Sequence, residues 1–487
     1  MKYARIAIFF IFYFYSNIGF AIEHAFLVQN SGWMDPFYND PRSRFKQLVF
    51  RVIDQATDDG DSITVAAFNQ ADSVNKSPEI LYQGAASQLP SKTLNSLSIA
   101  RKATGAWADT DLREAVGRTA NGIFKGRSGI IWIFTNNRNS PGNDPATAER
   151  NLEFYNLLHD NPSIHRTIAY PVRMPLVGKN YQTTGMMVYA LAYGKAAGDA
   201  LRVIASSNKI TVFRGAPARL KPLDEEAVSI IGPKVRTPGI DVQLASGGAG
   251  LNFYFTAQDI PDEILLSARI RNQFYPYRID SANVTARFAD LTDQDLFIDV
   301  EPAGINSLSP GEEALVNVRI RVPTKRVPSA WSAESIAAMG DRVPLRAVID
   351  LELDDQKLSV DPSFERKLAE IFPGDPLSQV FRPSSRVKAS TERIPITFFI
   401  QYPLMPFWVT VLSTLGLLAA LLFALNSLRS AKTYTFNVDG DRQTIRLRAR
   451  QTAQIFDARN QLVGTVVRPI FGAPTCQPEP GKSLRLS

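Results

Sequence analysis

The chain has 487 residues, one cysteine and a formal net charge of +7. Its length predicts about three folded units with full hydrophobic cores, and a single cysteine excludes an intramolecular disulfide. The positive charge gives no reason to expect nucleic-acid binding. It is concentrated in residues 429–487 and in the first few residues, and the part between them is close to neutral.

Residues 1–21 are predicted to form a secretory signal peptide. Lys2 and Arg5 precede an apolar run over residues 6–15, and Gly19-Phe20-Ala21 ends in small residues that suit cleavage after Ala21. An uncleaved membrane anchor is the alternative, and it gives the same orientation. Together with the sparing use of cysteine, the signal favours a bacterial protein whose bulk faces the periplasm.

Three polar segments within residues 22–200 carry the main functional information. The residues of interest are Gln29, Ser31 and the aromatic Trp33 after the apolar stretch 25–28, Thr110 in the segment 107–115, and Asn136 after the apolar stretch 130–134. Short apolar runs bounded by polar turns are consistent with buried strands. These side chains are therefore predicted to lie where strands end.

The three segments, in this order and spacing, resemble the von Willebrand factor type A domain over roughly residues 24–200. A metal-binding member would read Asp-x-Ser-x-Ser in the first segment and Thr-Asp-Gly in the last. Here Gln29 and Asn136 stand where the two acids would be, and Trp33 replaces the second serine. The resemblance implies a degenerate metal-ion-dependent adhesion site, in which Thr110 takes the place of the threonine from the third loop.

The hydrophobic pattern between these segments also predicts an α/β fold. One amphipathic helix is indicated by apolar residues at i, i+3, i+4, i+7 and i+8, namely Phe45, Leu48, Val49, Val52 and Ile53. Helical and strand-like segments then alternate as far as residue 193. Such alternation is typical of a doubly wound parallel sheet with helices on both faces, whose ligands sit outside the carboxyl ends of the strands.

Amides in place of acids predict a site that works without metal. Mg²⁺ and Ca²⁺ need oxygen ligands, and carboxylates compensate for the loss of their hydration shell. Gln29 and Asn136 keep the shape of such a site but remove two negative charges. Asp35, Asp109 and Asp111 are close in sequence, and they leave weak Mg²⁺ or Ca²⁺ binding open.

Two interpretations of these polar residues stay open. In the first, Gln29 and Asn136 only satisfy backbone groups at strand ends, as buried polar side chains usually do. In the second, the edge that also includes Ser31, Trp33 and Thr110 contacts a partner protein. Trp33 favours the second interpretation, because aromatic residues are typical interface anchors.

The later part of the exported region is predicted to be rich in strands. Residues 201–238 are expected to be a connection with a short strand at 210–213. Residues 239–402 contain short strand-like segments separated by turns, which predicts an all-β sandwich of immunoglobulin-like type. Helical pieces near 333–338 and 364–371 are predicted to be insertions in this domain.

Residues 405–428 are predicted to form one transmembrane helix. The segment contains no charged residue and is long enough to cross the hydrocarbon layer. Basic residues follow it, so the positive-inside rule predicts a cytoplasmic C-terminus and a single-pass inner-membrane protein. Gly416, Ala420 and Ala424 lie four residues apart, and this spacing favours packing against another copy or another subunit.

The basic residues 429–487 are predicted to form a small all-β cytoplasmic module. Asp439-Gly440 lies between alternating residues, which is a hairpin signal. Two further strands are expected at 453–457 and 462–467. The proline-rich stretch 469–480 is predicted to be loose.

The sequence argues for a binding protein and against an enzyme. It has only three histidines, and it contains no phosphate-binding glycine loop, Cys/His metal cluster or serine elbow. We expect a scaffold or assembly subunit of an envelope complex, which binds a protein partner without a cofactor. The alternative is a signalling or transport accessory subunit that couples periplasmic binding to the cytoplasmic module. Adhesion to host or matrix is the weakest interpretation, because an inner-membrane protein would not reach outside the cell.

Overall fold

The computed structural model describes residues 22–138, 145–207, 209–245, 250–289, 297–374, 377, 380–384 and 386–487. The predicted signal peptide, residues 1–21, lies outside these ranges. The chain divides into two compact units. The first consists of Met1–Tyr254, Pro261–Thr324 and Arg346–Phe398, and the second consists of Phe255–Ile260, Lys325–Leu345 and Phe399–Ser487.

Helices and strands are mixed in the first part of the chain, and strands dominate the rest. The α-helices of the described residues are α1 (Asp35–Asn39), α2 (Phe45–Ala56), α3 (Lys92–Asn95), α4 (Leu112–Arg118), α5 (Pro145–Asp160), α6 (Lys195–Ser206), α7 (Ala333–Ala337), α8 (Pro362–Ile371) and α9 (Met405–Arg429). The strands are β1 (Glu23–Gln29), β2 (Ser62–Phe68), β3 (Glu79–Ala85), β4 (Gly129–Thr135), β5 (Ile164–Val177), β6 (Gln182–Tyr193), β7 (Ala218–Lys221), β8 (Val228–Val235), β9 (Asp241–Leu244), β10 (Leu251–Thr256), β11 (Glu263–Asn272), β12 (Tyr277–Phe288), β13 (Ile298–Glu301), β14 (Gly304–Leu308), β15 (Glu313–Arg321), β16 (Arg342–Val360), β17 (Ser390–Gln401), β18 (Lys432–Val438), β19 (Asp441–Leu447), β20 (Thr452–Phe456), β21 (Leu462–Val467), β22 (Thr475–Pro478) and β23 (Leu484–Leu486).

The first sheet has a parallel centre. Its strand order is β3-β2-β1-β4-β6-β5-β7, and β1 pairs in parallel with both β2 and β4. These three strands are almost completely buried, as expected for parallel strands that are covered on both faces. The predicted amphipathic stripe on α2 is buried as well. The structure thus confirms a mixed α/β fold with a parallel-stranded sheet.

The rest of this sheet is antiparallel, which limits the predicted parallel arrangement to three strands. β6 lies between β4 and β5 and runs antiparallel to both. The short turn 178–181 joins β5 directly to β6, whereas a parallel neighbour would need a long crossover connection. The strand predicted at 210–213 is wrong, because these residues form a turn.

One face of the first sheet is completed by a helix from much later in the chain. Phe364, Leu368 and Ile371 of α8 belong to the same buried core cluster as Met187 and Tyr189 of β6. A Cβ atom at Gly185 would overlap Ile371, so helix and strand approach closely. The segment predicted as a helical insertion is therefore part of the core of the α/β region.

The second sheet contains the strands from β8 to β17. They follow one hydrogen-bonded path in the order β8-β11-β15-β13-β12-β16-β17-β10-β9, and β14 pairs with β12 outside this path. Among the described residues, β12 and β13 pair through Ala286 and Ile298. This pair joins the strands β8, β11, β15 and β13 to the strands β12, β16, β17, β10 and β9. Burial alternates along β11, as expected for strands with one face toward a core.

The second unit contains the candidate membrane helix and the C-terminal module. Met405–Asn426 is long and apolar enough to cross a membrane, with a mean hydropathy of 2.2. The hairpin predicted at Asp439-Gly440 is confirmed as β18 and β19. The prediction of a loose stretch at 469–480 is wrong in part, because β22 pairs there with β21.

A buried histidine lies at the start of β1. His24 is 1% exposed, and its Nδ1 accepts a hydrogen bond of 3.2 Å from Trp132 Nε1. Its Nε2 lies 3.8 Å from Asp61 Oδ2. Burial lowers the pKa of His24 from 6.5 to about 4, and the nearby Asp61 carboxylate only partly opposes this shift.

His24 should make the stability of residues 22–402 depend on pH. The folded protein keeps His24 neutral, whereas the unfolded chain takes up a proton below pH 6.5. The His24 contribution is thus fully present above pH 6.5 and is lost as the pH falls toward 4. His24→Gln should flatten this dependence when urea unfolding is measured above pH 7 and near pH 5. Equal pH dependence in both proteins would contradict the assignment.

Removing the Phe364 side chain should destabilise the α/β region. Phe364 is 1% exposed, and Phe→Ala changes at such positions cost about 3–5 kcal/mol. We expect Phe364→Ala to lower the urea midpoint of residues 22–402 clearly. Glu370→Ala, at an exposed position of the same helix, is the matched control and should change the midpoint little. Equal effects of the two changes would mean that α8 does not belong to this core.

Candidate functional site

The five predicted site residues converge at one edge of the first sheet. Gln29 ends β1, and Asn136 follows the end of β4 directly. The strands are parallel neighbours, so their carboxyl ends meet at the same edge. Ser31 and Trp33 lie in the turn after β1, and Thr110 lies just before α4. Gln29, Ser31, Thr110 and Asn136 are buried, and only Trp33 is partly exposed.

The Gln29 side-chain nitrogen lies between two hydroxyl groups. Nε2 of Gln29 donates to Ser31 Oγ at 2.8 Å and to Thr110 Oγ1 at 2.7 Å. Thr110 Oγ1 in turn donates to Ser31 Oγ at 2.7 Å. Because Gln29 is 0% exposed, the space that these hydroxyls face is filled by a neutral amide nitrogen.

The oxygen of the same amide binds the end of β4. Oε1 of Gln29 accepts from Thr135 Oγ1 at 2.6 Å and from the backbone N–H of Asn136 at 3.1 Å. A backbone N–H can only donate, so this contact fixes which end of the amide is the oxygen. Both amide protons and both oxygen lone pairs are thus used. We call these contacts the Gln29 hub.

Asn136 is also committed to internal contacts. Its Nδ2 donates to the backbone oxygen of Trp33 at 2.7 Å and to Tyr181 Oη at 3.2 Å. Its Oδ1 accepts from the backbone N–H of Arg138 at 3.2 Å. The amide that replaces the second acid therefore ties the end of β4 to the loop after β1 and to the β5–β6 hairpin.

The three neighbouring acids are occupied by other partners. Asp35 is 0% exposed and accepts from the backbone N–H of Lys179 and from Asn39 Nδ2. Asp109 forms an ion pair with Lys102. Asp111 caps α4 by accepting from the backbone N–H of Glu114, as N-terminal capping residues do. Within the described ranges, no group of three or more His, Cys, Asp or Glu side chains is placed to hold a metal ion.

These contacts do not fit the divalent cation that a metal-binding von Willebrand factor A site would hold. A hard cation needs several oxygen ligands with negative charge among them. Here the Ser31 and Thr110 hydroxyls face the Gln29 nitrogen, and Asp35 is directed to backbone and amide donors. The site residues are therefore arranged for hydrogen bonding and lack the charge for Mg²⁺ or Ca²⁺.

Three partly exposed side chains lie above the Gln29 hub, and we call them the crest cluster: Trp33, Arg138 and Tyr181. The Trp33 and Tyr181 rings meet edge to face with centroids 5.3 Å apart. The Arg138 guanidinium lies 4.9 Å from the Trp33 ring and 5.3 Å from the Tyr181 ring. Of these three residues, the sequence predicts only Trp33, because the pairing of the β5–β6 hairpin is what brings Tyr181 to this edge.

Two buried aspartates hold that hairpin in place. Asp35 accepts from the backbone N–H of Lys179, and Asp40 Oδ2 accepts from the backbone N–H of Val177 at 2.8 Å. Hydrogen bonds from Arg42 and Val177 hold the pKa of Asp40 well below its usual range. The turn that carries Tyr181 is thus bound to the loop that carries Trp33.

The small residues predicted for helix packing lie on α9. Gly416, Ala420 and Ala424 are exposed, and nothing lies within 4 Å of a Cβ atom built at Gly416. Their role in packing against another helix stays a prediction.

No family model matches this chain, and no curated protein matches its sequence. The resemblance to von Willebrand factor type A domains therefore rests on the three sequence segments described above and stays a prediction.

The Gln29 hub predicts that metal binding needs the removal of the amide. Calorimetric titration of residues 22–402 with Mg²⁺, Ca²⁺ and Mn²⁺ should show no binding tighter than the millimolar range that weak sites reach. Gln29→Asp combined with Asn136→Asp should create or strengthen Mn²⁺ binding, because the shorter acid vacates the space beside Ser31 and Thr110. Asn136→Asp alone is the matched control and should stay metal-free. Tight binding by the unmodified protein would contradict the proposed role of Gln29.

Proposed function

We propose that this protein is a single-pass inner-membrane scaffold or assembly subunit whose periplasmic domain binds a protein partner without metal. The first domain would be a von Willebrand factor A-like domain with a degenerate metal site. The observation that carries this proposal is the Gln29 hub. It uses a neutral side chain to join the ends of β1 and β4 and the loop that carries Thr110. Recognition at this edge would then not depend on a bound cation.

The composition and rigidity of the crest cluster support a protein partner. Trp, Tyr and Arg are the residue types that contribute most to binding energy at protein interfaces. Asn136 contacts the Trp33 backbone and the Tyr181 hydroxyl, so both aromatic positions are held in place before binding. A preorganised contact surface loses less entropy when a partner binds.

The proposed topology depends on the apolar helix and the charges around it. Met405–Asn426 has the length and hydropathy of a membrane span. The predicted signal peptide would export residues 22–402, and the basic residues after the helix would stay in the cytoplasm. Catalysis is not part of the proposal, since the buried polar residues of the site are committed to one another.

A second candidate function is that of a signalling or transport accessory subunit. The observation that favours it is the C-terminal module, which has its own core of buried residues: Phe436, Val438, Leu447, Ile455, Val463, Val466 and Leu484. A simple anchor would need only a few basic residues after the helix. A folded module could pass a periplasmic binding event to a cytoplasmic output.

Affinity purification of the full chain in detergent tests the proposed function. We expect an envelope protein to copurify, and Trp33→Ala to reduce its recovery at least about tenfold, as loss of an interface anchor does. Trp331→Ala is the matched control, because Trp331 is 55% exposed and does not belong to the crest cluster. A chelator should leave recovery unchanged. Undiminished recovery with Trp33→Ala, or elution of the partner by chelator, would contradict the proposal.

Deletion of residues 433–487 separates the two candidate functions. A scaffold should keep both its partner and its phenotype without the module. A transducer should still bind its partner and should lose the output.

A further inference from the structure

The acids of the C-terminal module lie at one of its ends, together with several cations, whereas the opposite end carries cations alone. β18 and β19 run the length of the module, and seven residues of strand span roughly 20 Å. One end lies beside the end of α9, and the hairpin tip at Asp439-Gly440 forms the other. We call them the helix-proximal end and the helix-distal end.

Arg468 fixes the helix-proximal end next to the membrane helix. Its side chain is 4% exposed, and its Nη1 donates to the backbone oxygens of Ser430 at 3.0 Å and Leu447 at 2.6 Å. Ser430 directly follows α9. The end of β19 and the loop after β21 are therefore bound to the point where the chain leaves the helix.

Three exposed cations lie at the edge of this end, at or beyond the Lys432–Leu447 pair, and the exposed Arg446 follows one pair further in. Lys432 is the first residue of β18, three positions after the end of α9. Arg448 and Arg450 lie in the turn between β19 and β20, and the backbone N–H of Arg450 donates to the Arg468 oxygen at 2.8 Å. All three side chains are exposed.

All four acidic residues of 429–487 lie at the helix-distal end; they are Asp439, Asp441, Asp457 and Glu479. Lys482 Nζ lies 3.6 Å from Asp439 Oδ2 and 3.0 Å from Asp457 Oδ2, and its backbone N–H donates to the Glu479 oxygen. Asp439 and Asp457 thus lie around Lys482. Among residues 429–487, no Asp or Glu side chain lies at the helix-proximal end to balance its cations.

An exposed aromatic side chain also belongs to the helix-proximal end. Phe471 is 83% exposed, and it lies in the loop between β21 and β22. This loop starts at Arg468, and β22 pairs again with the end of β21 through Thr475 and Val467. Phe471 therefore lies at the same end as the cations. We call Lys432, Arg448, Arg450 and Phe471 the membrane-facing rim.

We propose that the membrane-facing rim docks onto the anionic phospholipid headgroups of the bilayer that α9 crosses, with Phe471 at the headgroup level. The inference rests on the proposed membrane-spanning role of α9. Each Lys or Arg near an anionic lipid surface strengthens binding to that surface by about fivefold, so three such cations strengthen it by about a hundredfold. The acids are kept roughly 20 Å away, where salt screens their repulsion. An amphipathic or aromatic side chain adds apolar burial at the interface.

The test uses the full chain in lipid nanodiscs. Cys476, the single cysteine, is changed to Ser, and Ala473→Cys places an environment-sensitive fluorophore two residues from Phe471. Discs of phosphatidylcholine alone are compared with discs that also contain phosphatidylglycerol. The proximal triple variant is Lys432→Gln, Arg448→Gln and Arg450→Gln. The matched distal triple variant, Arg442→Gln, Arg459→Gln and Arg485→Gln, removes the same charge from exposed positions outside the rim.

If the rim docks, the emission of the fluorophore should be blue-shifted and quenchable by lipid-bound quenchers only in discs with phosphatidylglycerol. The proximal triple should reduce the docked fraction at least about tenfold, Phe471→Ser should reduce the shift, and the distal triple should change neither. The proposal is overturned if both disc types give the same signal. It is also overturned if the two triple variants lose the signal equally, because this would indicate general attraction by net charge. A chain that cannot be held in discs at all would instead overturn the membrane-spanning role of α9.

Discussion

One buried amide connects the parts of this protein on which its candidate site depends. Gln29 ends β1, and its side chain binds Ser31 and Thr110 with its nitrogen and Thr135 and Asn136 with its oxygen. An unsatisfied buried polar group costs about 1–3 kcal/mol, so each contact penalises any movement of these segments apart. A bound cation would hold the same segments by charge, whereas here a side chain of the chain itself does so by geometry.

The crest cluster depends on this arrangement. Asn136 contacts the Trp33 backbone and the Tyr181 hydroxyl, and its own backbone N–H donates to Gln29 Oε1. Asp35 and Asp40 hold the turn of the β5–β6 hairpin over the same loop. The exposed surface is therefore supported by buried hydrogen bonds on two sides, which is the arrangement that lowers the entropic cost of binding.

The sequence predicted the individual segments better than their assembly. Gln29, Ser31 and Asn136 were placed at one sheet edge because apolar strands with polar ends are a local signal, and Thr110 was placed there through the resemblance to the third loop of a von Willebrand factor A site. Tyr181 and Arg138 were missed, because the antiparallel insertion of β6 between β4 and β5 is a tertiary choice that the local pattern does not record. Phe364 was predicted in a helix, but its packing against a sheet formed some two hundred residues earlier depends on long-range contacts. The placement of all acidic residues at one end of the C-terminal module likewise appears only after its strands are paired.

Anomalous diffraction from crystals of residues 22–402 soaked in Mn²⁺ tests whether the Gln29 amide takes the place of a cation. We expect no anomalous peak between the Ser31 and Thr110 hydroxyls, and density for the Gln29 amide nitrogen at hydrogen-bond distance from both. A Mn²⁺ peak at that position, with the Gln29 side chain displaced and its oxygen among the ligands, would contradict it.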